Sequence, residues 1–283
     1  MSILLKPPCG YQGGKQRISN QIVDYIYQNE FISNNTKIYD LCCGSGAISL
    51  EFINRGIDPH NIIMLDCSSW GKFWKSIGEN TFFINKWVEW CDKVPTDKSK
   101  IQNFMLDLSF QDANIDEPYK YLLLQSAAFG GKQIWKEGNK WKNTSFRNYW
   151  LPTENTNRKS PVNPTQPSIE ELKNRVIQIA ESCKGITCIN DDISKIYPIL
   201  EKDKSFDSII YIDPPYLNST KYGFYFNTEK VLSEIFNVIN RPIYVSEQSP
   251  IAKEAIQIMI NTKKGGINGN KNVKRQEWLN VFR

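Results

Sequence analysis

Short apolar runs at residues 62–65, 186–189, 208–212 and 242–246 are rich in isoleucine and have strand length. Runs of this kind predict strands buried on both faces. Residues 37–40 add another short strand, which runs straight into a glycine-rich turn. Elsewhere the apolar positions recur with helical spacing. Residues 47–54, 169–182, 231–239 and 252–260 predict helices, the second carrying Leu172, Val176, Ile177 and Ile179 on one face. Residues 262–282 have strand-like ends around Gly265, Gly266 and Gly269, which predicts a hairpin. Strands that alternate with helices predict an α/β fold on a mostly parallel sheet.

One stretch breaks this rhythm. Helical pieces at 82–90 and 119–129 are followed by a polar, aromatic, proline-rich segment from 130 to 167. About a hundred residues then separate the second strand from the third, more than a compact sheet needs for one connection. The expected organisation is a core of residues 1–68 and 169–283, with 69–168 as an inserted second domain.

Composition narrows the function classes. Apolar residues make up 40% of the 283 and charged residues 23%, which is a globular balance and not a disordered one. No apolar run reaches about 18 residues, so no membrane-spanning helix is expected. Residues 1–6 have neither a cationic leader nor a small-residue cleavage site, so no signal peptide is expected. His60 is the one histidine, which disfavours multi-histidine zinc sites and histidine-based nucleophilic triads. The seven cysteines are odd in number and have no Cys-x-x-Cys pair, as expected of reduced cytosolic thiols that pack as small hydrophobes. A zinc site from four scattered cysteines is the alternative.

The net charge of +5 is unevenly placed. Residues 130–160 hold seven cations and two acids, and residues 261–283 hold six and one, so each segment carries +5 and the rest −5. Two basic segments on an acidic body point to a polyanionic partner, or to two solvated surface loops.

Three constellations carry chemistry. The first is Asp40-Leu-Cys-Cys-Gly-Ser-Gly46, a strand end, a tight turn and a helix start. Its glycines let backbone approach a ligand, and its acid accepts hydrogen bonds from hydroxyl or ammonium groups; such turns also occur without a ligand. Asp66 ends the next strand 20 residues beyond Gly46, where dinucleotide folds place a ribose-binding carboxylate. A helix-capping role is its alternative. Ser49 replaces the third glycine of a Gly-x-Gly-x-x-Gly motif, which favours a nucleoside-type cofactor without phosphates.

The second is Asp213-Pro-Pro-Tyr216, directly after a strand. Two prolines remove two N–H donors, so carbonyls, a carboxylate and an aromatic ring share one place. That suits an exocyclic amine on a flat base; a polar turn is the alternative. The third is Tyr11-Gln-Gly-Gly-Lys15, which has glycines and a cation for an anionic group but not Walker spacing, and which also reads as a surface loop.

These three in this order resemble the Dam-like adenine-N6 DNA methyltransferases, with the cofactor motif first, then a target-recognition insert, then the catalytic motif. The resemblance spans about residues 8–282 but is specific only in those motifs and Asp192. It implies a Rossmann-like S-adenosylmethionine-dependent methyltransferase sheet with an inserted, largely helical or loop target-recognition domain. It implies that Asp40, Cys42, Gly44 and Gly46 line S-adenosylmethionine and that Asp66 takes its ribose hydroxyls. Tyr11, Gly13, Gly14 and Lys15 would hold the methionine moiety, with Lys15 near its carboxylate. Asp192, or the adjacent Asp191, would lie near the cofactor adenine, and Asp213 would border the cofactor as well. Asp213 and the Pro214 carbonyl would then accept hydrogen bonds from the target amine, and Tyr216 would stack on a base extruded from the duplex. Tyr222, Phe224 and Phe226 extend the aromatic wall or fill the core.

The insert interleaves aromatics with cations around Trp135, Trp141 and Trp150, as nucleic-acid surfaces do. Arg147 and Asn148 are the expected DNA contacts and Lys132, Lys140 and Lys142 the expected phosphate contacts, with the 263–275 cations flanking the duplex. Half of the aromatics are expected to be core. The resemblance implies double-stranded DNA as the partner, with neither membrane nor metal, and the chain is expected to be a monomer or weak dimer in the cytoplasm of a bacterium or phage-infected host. Alternatives are an RNA-adenine or cytosine-N4 methyltransferase, which Asp213 disfavours for cytosine, and a non-catalytic DNA-binding protein on the same fold.

Overall fold

The structure, a computed structural model, describes residues 4–203, 205, 207–216, 226–263 and 274–283; for 259–263, 274 and 275 it describes the backbone alone. The chain runs through α1 (Ser19–Asn29), β1 (Ile38–Leu41), α2 (Ala47–Asn54), β2 (Ile62–Leu65) and α3 (Ser69–Gly78). It continues through α4 (Ile84–Asp92), α5 (Ile101–Phe110), α6 (Glu117–Ala127), β3 (Trp135–Glu137), β4 (Lys140–Lys142) and α7 (Ile169–Ser182). The last third comprises β5 (Thr187–Ile189), α8 (Tyr197–Lys202), β6 (Ile209–Ile212), α9 (Thr228–Val238), β7 (Ile243–Glu247), β8 (Glu254–Lys263) and β9 (Lys274–Phe282).

The apolar runs form one sheet of seven strands in the order β5-β2-β1-β6-β7-β9-β8. The first five are parallel, and β9 and β8 close the far edge antiparallel. The fold is thus α/β with a mostly parallel sheet and is compatible with a Rossmann-like arrangement. Every residue of β1, β2, β6 and β7 is buried, because helices cover both faces.

Alternation divides the strand residues between two cores. Tyr39, Leu41, Ile210, Ile212, Ile243 and Val245 face α8 and α9 through Leu200, Val231 and Ile235. Ile38, Ile62, Met64, Tyr211 and Tyr244 face the larger core, which takes in α1, α2, α3 and α7. Ser168 starts α7 by accepting from Glu171 N at 3.2 Å, the first half of a Ser-x-x-Glu capping pattern.

Within 69–168, α3 packs against β5 of the sheet and also against α6. Rings continue this packing: Tyr11 meets Trp70 edge-on at 5.8 Å, Trp70 meets Tyr121 at 5.2 Å, and Tyr121 stacks on Trp141 at 6.0 Å. The N-terminal loop, α3, α6 and the β3–β4 hairpin are therefore tied by aromatic contacts.

One expectation is corrected. Residues 252–260 do not form a helix: β8 begins at Glu254 and pairs with β9 over its whole length. The alternation Ile256, Ile258 lays side chains on the large core, and pairing with a neighbouring strand outweighs the helix preference of Ala252–Ala255. The insert also holds an antiparallel hairpin, β3–β4, turning at Gly138 and Asn139, a short glycine-asparagine hairpin signal. Among the described residues no helix is long and apolar enough to cross a membrane.

Candidate active site

The strand order reverses between β1 and β6, since the chain proceeds outward to β5 on one side and to β7 on the other. Open α/β sheets bind ligands outside the carboxyl ends of their strands at such a point. A cavity of about 670 Å3 lies there. It is lined by residues of all three constellations: Tyr11, Gly13, Gly14 and Lys15; Asp40, Cys42, Gly44 and Asp66; Asp213 and Pro214. Asp191, Asp192 and Phe226 line it too.

The glycine turn is built for close approach. Gly44 and Gly46 have φ of +50° and +74°, conformations that side chains rarely adopt. A Cβ on Gly44 would stand 3.1 Å from the Tyr11 ring, whereas one on Gly46 would fall 2.2 Å from Trp74 Cζ2. Gly46 is not among the lining residues; it makes room for Trp74, whose indole donates to the Gly44 carbonyl at 2.9 Å.

Asp40 is buried under this turn, and its Oδ2 accepts from Ser49 N at 3.2 Å and from Ser49 Oγ at 2.7 Å. Ser49 thus does more than replace a glycine: it joins strand to helix. Burial raises the Asp40 pKa to about 7, against the Ser49 bonds, which lower it. Asp66 follows β2. Its Oδ2 accepts from Gly44 N at 2.8 Å, and its Oδ1 from Ser68 N at 2.8 Å and Ser68 Oγ at 2.5 Å. Ser68 is itself the cap of α3, so Asp66 both braces that cap and lines the cavity. Burial pushes its pKa upward.

The Asp213–Tyr216 constellation meets the N-terminal one. Lys15 Nζ donates to Asp213 Oδ1 at 2.5 Å and to the Gly13 carbonyl at 2.8 Å, and lies 3.5 Å from Glu277 Oε1. Its ammonium sits 5.0 Å from the centre of the Tyr216 ring, and the Tyr216 hydroxyl donates to Glu277. Burial works against the Lys15 charge, but Asp213 and Glu277 outweigh it and hold the pKa above the usual lysine value. Burial likewise raises Asp213, to about 7; Lys15 opposes that rise and Glu277 adds to it.

Glu277 is a member of this cluster that the motifs do not reveal. It enters from β9, two strands away from β6 in the sheet, and neither spacing nor composition marks it. A second unforeseen residue is Gln133, which lines the cavity from the insert while buried, its Oε1 without a hydrogen-bond partner. Tyr216 does not line the cavity but borders it through Lys15. Asp192 caps the turn that follows it, accepting from Ser194 N at 2.9 Å, and hydrogen bonds from the Ser194 hydroxyl and backbone lower its pKa.

The expected DNA contacts vary in what they are free to do. Lys132, Lys140 and Asn148 are exposed. Lys142 lies 3.4 Å from Glu137. Arg147 is half-buried and donates to the Ser126 carbonyl at 3.3 Å, and burial lowers its pKa. Trp141 and Phe146 are core; Trp135, Tyr149 and Trp150 are partly exposed. Tyr222 and Phe224, with Lys264 and Lys271 of the tail, lie outside the described residues, and Lys263, Lys274 and Arg275 are described in backbone only.

All seven cysteines are free thiols, five of them buried. Among the described residues no cluster of His, Cys, Asp and Glu is placed to hold a metal ion. Compared with known proteins, the chain matches no family model and no curated protein.

Proposed function

We propose that this chain is an S-adenosylmethionine-dependent methyltransferase that modifies the exocyclic N6 amine of adenine in double-stranded DNA. The observation that carries the reading is the meeting of the three constellations in one cavity at the reversal of strand order, though they lie far apart in the chain.

The residues fit a nucleoside methyl donor. The volume falls in the ~300–1,000 Å3 range of small-molecule sites. Asp66 at the end of β2 and Asp192 after β5 supply acceptors for ribose and base. Gly44, closed against Tyr11, keeps the turn free of side chains on the ligand side. When bound, the donor supplies a methyl group on a positively charged sulfur.

The chain's own part is to bind and orient the amine. Adenine's amino nitrogen is a poor nucleophile because its lone pair is delocalised into the ring. Hydrogen bonds from that amine to Asp213 and the Pro214 carbonyl favour a pyramidal nitrogen and free the lone pair. Lys15 and Glu277 hold Asp213 and Tyr216 in place, so orientation does most of the work. One amine proton must leave as the N–C bond forms. Asp213, raised to about 7, is matched to take it near neutral pH. Exposed Lys132, next to the cavity-lining Gln133, and exposed Lys140 would contact phosphates.

The test is transfer of labelled methyl groups from S-adenosylmethionine to unmethylated duplex DNA, with matched RNA alongside. Label in duplex DNA supports the proposal. Label in RNA alone moves the substrate, and no label despite cofactor binding removes the activity.

A further inference from the structure

The cavity runs against the charge of the chain. The protein carries +5, yet among the described residues six carboxylates line the cavity (Asp40, Asp66, Asp191, Asp192, Asp213 and Glu234) against the ammonium groups of Lys15 and Lys230. Neither cation is free to meet an anion. Lys15 is held by Asp213 at 2.5 Å and lies 3.5 Å from Glu277, which adds a carboxylate from outside the lining. Lys230 lies 3.7 Å from Glu234. Asp66 accepts hydrogen bonds from Gly44 N, Ser68 N and Ser68 Oγ, which suits an ionised carboxylate. A thiol in the wall registers the same field: Cys67 is pushed up to about 12, by burial first and then by Asp66, Asp192 and Asp191.

Charges of one sign in a concave, low-dielectric wall focus their field into the space between them. Such a space disfavours phosphates and favours a cation. The cations of the 130–160 segment do not line it, so a polyanion and a small ligand would meet surfaces of opposite sign. Resting on the reading above, we propose that the cavity selects its ligand by positive charge, holding the sulfonium of the methyl donor more tightly than a neutral thioether of the same shape. The preference comes from the summed field of the wall, so it does not depend on which way the donor lies.

Isothermal titration calorimetry of the full chain at pH 8, where Asp40 and Asp213 are largely ionised, tests this. S-adenosylmethionine carries a sulfonium, sinefungin an ammonium-bearing carbon at the same place, and S-adenosylhomocysteine a neutral thioether. All three share the adenosine and the amino-acid end, so their differences read one charge. Both cations are expected to bind about tenfold more tightly than the thioether at low salt, and the ratio to shrink as salt screens the wall. Lys230→Met removes a cation and is expected to widen the ratio, whereas Asp191→Asn removes an acid and is expected to narrow it; both side chains are exposed, so the fold is spared. Equal affinities, a tighter thioether, or a preference that neither salt nor these variants move overturns the proposal and leaves the functional reading standing. A wild-type chain that binds none of the three overturns both.

Discussion

Lys15 Nζ lies 2.5 Å from Asp213 Oδ1, although 198 residues separate the two in sequence. The pair joins the N-terminal glycine loop to the end of β6, and Glu277 of β9 completes it from the antiparallel edge of the sheet. One cation therefore faces two carboxylates in a buried place, so its removal leaves like charges together. Lys15→Met should cost ~3 kcal/mol or more of folding stability, the range for breaking a buried ion pair. Urea unfolding at pH 8 and pH 5 checks this. The loss should be smaller at pH 5, where Asp213 is protonated.

The sequence made the parallel core legible because its strands are short, wholly buried and β-branched, a pattern that burial on both faces dictates. Residues 47–54, 62–65 and 169–182 coincide with α2, β2 and α7. It failed at 252–260, where the partner that makes Ile256 and Ile258 a strand face lies some twenty residues further on. The same limit hid Glu277 and Gln133. Glu277 reaches Lys15 and Tyr216, and Gln133 the cavity, through tertiary placement alone, whereas Asp66 and Asp213 stand at strand ends that the apolar runs announce.

Asp40 gives a pH-dependent prediction for stability. Its pKa is raised from an ordinary carboxylate value to about 7 in the native state, so the native state binds its proton more tightly than the unfolded chain. That contribution is fully present below about pH 4 and is lost as pH rises to about 7, at about 1.4 kcal/mol per pH unit for one group. Asp40→Asn keeps an acceptor for Ser49 and cannot ionise. Its melting temperature should match the wild type at acidic pH and exceed it at pH 8, as read by differential scanning calorimetry.

Glycine at position 46 is required by space as well as by φ. Gly46→Ala would drive a methyl group into Trp74 and strain a left-handed backbone, whereas Gly56, with φ of +97°, has nothing within 4 Å of its Cβ position. Gly56→Ala should cost only the conformational strain, on the order of 1–2 kcal/mol. Gly46→Ala should cost at least 1 kcal/mol more, with a clear change in tryptophan fluorescence, and parallel denaturation curves give the comparison.

Under the proposed chemistry, Asp213 must be ionised to accept from the amine. Transfer should therefore rise about tenfold per pH unit below 7 and level off above it. A pH profile of kcat/KM with duplex DNA measures this, and a flat profile from pH 5.5 to 8.5 would remove Asp213 from the proton path.

The central claim is that the cavity at the end of β6 methylates adenine through Asp213. Its most direct test is nucleoside mass spectrometry of unmethylated duplex DNA after incubation with S-adenosylmethionine and either the wild type or Asp213→Ala. The account predicts N6-methyladenine with the wild type and none with the variant, while the variant still binds the cofactor. N4-methylcytosine in place of N6-methyladenine, no methylated base at all, or undiminished N6-methyladenine with Asp213→Ala would contradict it.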